Sequence, residues 1–146
     1  MAEKQPDQKQ IEHQKQMQQK YMELQMLDQQ MKNVQKQVEA IEQKASEVEE
    51  TQQSLDALGA AKKGTDMWVP IANGIFLKAQ LAENSKLGVN VGSNIVATKD
   101  IPSTKAMLAE QAKDMRTFQA DLIAEFEKMA GQAAALQNEL QQILGA

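Results

Sequence analysis

Few side chains in this sequence could move a proton or hold a metal ion. His13 is the single histidine, and there is no cysteine. No nucleophile, base and orienting group stand together at a workable spacing, so the chain is expected not to be an enzyme. Glu47, Glu49 and Glu50 crowd together. On a helix they form a solvated charged face, with no loop to wrap an ion. No glycine-rich phosphate loop with a lysine occurs, so ATP use is not indicated. His13 lies in a polar opening segment and reads as solvated. Trp68 and Phe76 could line a small-molecule pocket, but the core of a hairpin or a subunit contact is the better reading of a pair in a β-prone stretch. No cofactor and no metal are expected. The chemistry left is apolar contact: there are nine methionines and only five aromatic residues, Tyr21, Trp68, Phe76, Phe118 and Phe126. A thick globular core normally packs more large rings. Long helices with narrow seams fit this composition better.

Two helical runs must position those side chains. The first covers residues 9–58. One column of a seven-residue repeat is Met17, Leu24, Met31, Val38, Ala45 and Gln52. The other is Lys20, Leu27, Val34, Ile41, Val48 and Leu55. Ten of these twelve are apolar, alternately three and four apart, which is the seam of a left-handed coiled coil. Gly59 and Gly64 follow and can end the helix. The second run covers 103–144, with columns Leu108, Met115, Leu122, Met129, Leu136, Ile143 and Ala112, Gln119, Phe126, Ala133, Leu140. "DIPST", Asp100 to Thr104, offers a capping candidate and a proline near the first turn.

Between them, residues 67–99 follow a different grammar. "MWVPI", Asn73-Gly74, "IFLKAQL", Asn84-Ser85, "LGVNV", Gly92-Ser93-Asn94 and "IVATK" succeed one another. Short β-prone runs separated by turn residues read as two consecutive β-hairpins, with Pro70 at an edge or strand end.

Length decides how the parts combine. At ~1.5 Å per residue, fifty helical residues extend roughly 75 Å and forty roughly 60 Å. Within one chain, both seams are covered only if the helices run antiparallel. Residue 58 then lies near 103, Leu24 near Gln137 and Met17 near Leu144. Residues before about 16 have no partner in this register and are expected to fray. Both termini would meet at a tip remote from the hairpins. The fold class is mostly α with a small β part: a long antiparallel coiled-coil helical hairpin, with two β-hairpins between the helices forming an oligomerisation base. All 146 residues read as a single domain.

Isolated hairpins have exposed edges and a small apolar face, and pairing with other chains is the remedy. The expected joint comprises Val69, Ile71, Ile75, Phe76 and Leu77 in the first hairpin. In the second it comprises Leu87, Val89, Val91, Ile95 and Val96. At the tip, Met22 and Met26 fall outside the seam, and Tyr21 and Leu144 flank it. With Met17, Leu24, Leu136, Leu140 and Ile143 they make a candidate grip for unfolded chains, since methionine suits surfaces that accept many partners. Loose patterning at a coil end would give the same spacing, and an apolar tip counts only if it is contiguous.

Charge and hydropathy remove other classes. The net charge is −4, with 16 basic and 20 acidic residues interleaved. Such a surface repels a phosphate backbone, so an RNA-binding coiled-coil arm is disfavoured and no nucleic-acid partner is expected. No run approaches the ~18 apolar residues of a membrane span. The opening "MAEKQPDQKQ" lacks the apolar core of a secretory leader. A cysteine-free chain suits a reducing cytoplasm.

The middle of the chain is similar to a known family. "VPIANGIFLKAQL" and "LGVNVGSNIVATK" between heptad helices resemble the α-class subunit of archaeal prefoldin. Val69-Pro70, Gly74-Ile75-Phe76 and Lys78 stand where that family has its Val-Pro, Gly-hydrophobic-hydrophobic and Lys pattern, and Val91-Gly92 matches its second turn. One departure is Asn94 where the family often has a second glycine, followed by Ile95 and Val96 in place of aromatics. Asparagine tolerates positive φ, so the turn can survive. The resemblance implies an ATP-independent holding chaperone in the cytoplasm. Two α-class and four β-class subunits would assemble through a β-barrel base, and coiled-coil tips would capture unfolded client protein and pass it to a group II chaperonin. The alternative is a passive coiled-coil scaffold or adaptor with the same fold and no client-holding activity.

Overall fold

The computed structural model describes residues 7–145. The element order is α1 (Gln8–Ala60), β1 (Asp66–Ala72), β2 (Ile75–Gln80), β3 (Leu87–Gly92), β4 (Ile95–Lys99) and α2 (Ile101–Gly145). The expected fold class holds: two long helices enclose two small antiparallel hairpins, β1–β2 and β3–β4, each its own two-stranded sheet. The chain divides into two compact units. One joins α1 up to Glu42 with α2 from Thr117, and the other spans Gln43–Arg116.

In the first unit the two helices pack antiparallel along their apolar columns. Val34, Leu122 and Met129 are buried, and Leu27, Met31, Val38, Ile41 and Phe126 close around them. Lys20 Nζ donates to Glu139 Oε2, and Gln119 Nε2 donates to Glu42 Oε2 at 2.8 Å. In the second unit Ala45 is fully buried and Ala112 nearly so. Their small side chains let the helix backbones come close. Arg116 Nη2 lies 3.1 Å from Glu49 Oε1, and Lys105 pairs with Asp56. These ion pairs are exposed and worth at most about 1 kcal/mol each. They mark the register; the seam supplies most of the stability.

Every residue of both heptad columns is buried or half-buried. Between Asp7 and Asp56 only Ser46 joins the α1 columns in being so. The start of α1 departs from expectation. It was expected to fray before about residue 16, yet the helix begins at Gln8, with Gln10 N and Ile11 N donating to Asp7 O. Residues 8–16 are all exposed, so they do lack a packed partner. Gln, Lys and Glu, which fill most of this stretch, are strong helix formers, and an uninterrupted helix below them supplies the nucleus, so propagation costs little.

Asn84 closes the C-terminus of α1. Its Nδ2 donates to Leu58 O and Ala61 O, both at 3.0 Å, and lies 3.4 Å from Gly59 O. The last carbonyls of a helix lack intrahelical donors, so one side-chain amide satisfies several at once. Gly64 N donates to Leu81 O and Leu81 N to Thr65 O, tying the root of the first hairpin to the same place. Asn84→Ala should lower stability by about 1–2 kcal/mol, read as a lower urea midpoint with an unchanged slope. Asn84→Asp should not rescue it, because a carboxylate cannot donate to carbonyls.

Asp100 caps α2, where Ser103 N donates to Asp100 Oδ1 at 2.7 Å. The hydrogen bonds from the Ser103 side chain and backbone hold the Asp100 carboxyl below its ordinary value of 3.8. A carboxylate with a depressed folded-state pKa stabilises the fold above its unfolded value and loses that contribution as pH falls through the folded one. The stability gap between the chain and Asp100→Ala should therefore be full above about pH 5 and shrink below about pH 4. A gap that does not change with pH in thermal melts would show that the charge plays no part.

Candidate functional site

Each hairpin turns tightly and carries one irregular step beside its turn. In the first, Pro70 pairs with Phe76 and Ala72 with Ile75, leaving Ile71 as the extra residue. In the second, Asn90 pairs with Val96 and Gly92 with Ile95, leaving Val91 as the extra residue. Pro70 lies within β1, not at its end. A two-stranded sheet has only edge strands, so its missing N–H costs no ladder bond there. Gly74 takes φ 76°. Ser93 and Asn94 take φ 51° and 59°, the left-handed pair of a type I′ turn, so Asn94 occupies the conformation anticipated for it.

Opposed residues share a face, so register sorts the side chains. One face of the first hairpin carries Met67 and Ala79, then Val69 and Leu77. The other carries Trp68 and Lys78, then Pro70 and Phe76. Trp68 and Phe76 together line a shallow apolar hollow. Val69, Ile71, Ile75, Phe76 and Leu77 are all exposed, as are Val91, Ile95 and Val96 of the second hairpin; Leu87 and Val89 are half-buried. Trp68, expected in a hairpin core or a subunit contact, is 67% exposed. Apolar surface thus lies open on both faces of the first hairpin. Single exposed apolar residues are ordinary, but such a concentration on two short sheets marks a surface to be covered.

The second candidate surface lies in the first unit, where the start of α1 meets the end of α2. Met22, Met26 and Leu144 are exposed by more than 60% and Tyr21 by 46%. Met17, Leu24, Leu136 and Ile143 are half-buried beside them. Leu140 is only 5% exposed, so it supports this surface from beneath and offers none of its own.

A groove of about 460 Å³ opens here, with Met26, Leu27, Ala135 and Leu136 as its apolar floor. Glu23 and Glu139 stand at one end, Gln30 and Gln132 at the other. Leu24 and Met31 line a second hollow with Ala133 and Gln137, which places Leu24 beside Gln137 as the antiparallel register required. Column reasoning missed the groove, because its polar ends come from residues flanking the seam and not from the columns. Five of its eight lining residues were outside the expected columns and grip. His13 is exposed, on the helix. Among the described residues, no group of three His, Asp or Glu is placed to hold a metal ion, and no helix is long and apolar enough to cross a membrane.

A family model described as "Prefoldin subunit" matches residues 27–146. Among curated proteins, the chain is similar to prefoldin subunit alpha of Methanococcus aeolicus, 27% identical over 126 residues that cover 86% of this chain and 85% of that one. Prefoldin subunit alpha of Methanobrevibacter smithii is 26% identical over 110 residues, 75% of each chain. Among solved structures, a chain in the cryo-EM structure of filamentous PFD from Methanocaldococcus jannaschii matches with a TM-score of 0.74 and 16% identity, over 82% of this chain and 98% of that one. That likeness concerns the fold, two long helices around two small hairpins. The sequence match covers helices and hairpins alike, and on it the chain belongs to the prefoldin subunit family, a family with a chaperone role.

Proposed function

We propose that this chain is one subunit of an ATP-independent holding chaperone, whose exposed apolar helix ends, methionine-rich at the start of α1, capture unfolded protein. The observation that carries the reading is the apolar surface at Tyr21, Met22, Met26 and Leu144, left open beside a seam that is otherwise covered. A folded helix pair gains nothing from exposing such residues together, whereas a surface for many sequences needs flexible apolar side chains. The hairpins act as the joint, pairing with β-class prefoldin subunits in an assembly of two α-class and four β-class chains. One helix end buries little area, so each contact is weak. Several on one base raise the effective concentration and turn weak contacts into holding. Release needs only exchange and a competing acceptor, and a group II chaperonin in the cytoplasm is the acceptor proposed.

The test is light scattering of a chemically unfolded client diluted into ATP-free buffer. It is run with the assembled complex and with a complex lacking both helix ends, residues 1–26 and 136–146. The reading expects suppression by the first and none by the second. A verified, intact assembly that suppresses nothing would leave the passive scaffold as the function.

A further inference from the structure

The groove in the first unit has a polarity that an indiscriminate apolar patch lacks. Its floor of Met26, Leu27 and Leu136 ends at two carboxylates, Glu23 and Glu139, with no basic residue lining it. Lys20 pairs with Glu139 through Oε2 from outside the groove. Glu23 has no ion-pair partner among the described residues and is exposed. At the opposite end the lining residues Gln30 and Gln132 are neutral, and their amides can donate to and accept from a peptide backbone. The volume, about 460 Å³, falls within the roughly 300–1,000 Å³ of clefts that bury a drug-sized molecule, a bulk comparable to a few side chains.

We infer that this groove selects extended segments in which apolar side chains are flanked by lysine or arginine. The apolar side chains lie on Met26, Leu27 and Leu136, and the cation meets Glu23 and the Glu139 oxygen that Lys20 does not take. This deepens the holding reading and rests on it: the occupant is an unfolded chain, and the preference is for its charge pattern. Exposed opposite charges add little affinity, but they set preference and orientation, and salt removes their effect.

The test uses the assembled complex and three fluorescent peptides sharing one leucine–phenylalanine core. The core is flanked by lysines, by serines or by glutamates, and binding is read by anisotropy at low ionic strength. The lysine-flanked peptide should bind about threefold to tenfold tighter than the glutamate-flanked one. The ratio should fall towards one in about 1 M salt, where the screening length is about 3 Å. Glu23→Gln should shrink the ratio and Glu23→Asp should keep most of it. Glu12→Gln removes one exposed carboxylate outside the groove and should leave the ratio unchanged. Equal binding of all three peptides overturns the inference while leaving the holding reading intact. A lysine preference untouched by Glu23→Gln also overturns it, because net charge would then be its source. Peptides that fail to bind a complex that still suppresses aggregation would remove the groove as the binding place. Failure of both assays would instead sink the holding reading itself.

Discussion

Replacing Leu77 by aspartate is expected to yield a folded chain that no longer assembles. Leu77 opposes Val69 on one face of the first hairpin and is 56% exposed in the single chain. A charge there stays in water as long as the chain is alone, so helix content should not change. Once that face is covered, the carboxylate loses its water and gains no partner, at a cost of several kcal/mol. At 1.4 kcal/mol per decade, assembly should weaken about 100-fold or more. Sedimentation should find a single-chain species at concentrations where the parent forms a complex, with unchanged far-ultraviolet circular dichroism. Ser85→Asp, an exposed charge between the hairpins, should assemble normally. If Leu77→Asp assembles like the parent, this hairpin face is not the joint.

The helices were legible because a coiled coil is periodic in one dimension. Met17, Leu24, Met31 and their partners repeat every seven residues, and burial follows that repeat with no correction from tertiary context. The hairpins were legible from their turns, where Asn73-Gly74 and Ser93-Asn94 can reverse the chain. The extra residues Ile71 and Val91 were not legible. They arise from how two strands meet across a tight turn, and no residue type at either place demands one. The Asn84 cap was hidden for a related reason. Its partners Leu58 and Ala61 lie some 25 residues away in sequence, so Asn84-Ser85 looked only like a turn. The start of α1 was misjudged by asking what packs against it, when propensity alone carries a helix onward from a packed one. The groove needed both helices in register before flanking residues such as Glu23 and Glu139 could be seen as neighbours.

Leu122 and Ile123 are adjacent, and the structure assigns them opposite consequences. Leu122 is 7% exposed and packs with Val34 and Met129; Ile123 is 42% exposed on the outer surface of α2. Leu122→Ala removes three carbons from a buried cluster of this seam and should cost about 2–4 kcal/mol. The lower half of that range is expected, because a two-helix seam can close partly around a void where a thick core cannot. Ile123→Ala should cost at most about 0.5–1 kcal/mol, since its side chain is largely in water already. Urea unfolding followed by circular dichroism separates the two. Equal costs would mean that the seam does not run where burial places it. The cluster also runs to Leu27 in the groove floor, but in this register Leu122 faces α1 about twelve residues further on, roughly 18 Å away at ~1.5 Å per residue. A void at Leu122 therefore leaves the groove floor as it is. Client holding should therefore match the parent in Leu122→Ala at temperatures where the variant is still folded, and the hairpin surface around Leu77 keeps its residues and its capacity to assemble. Ile123→Ala should hold clients as the parent does.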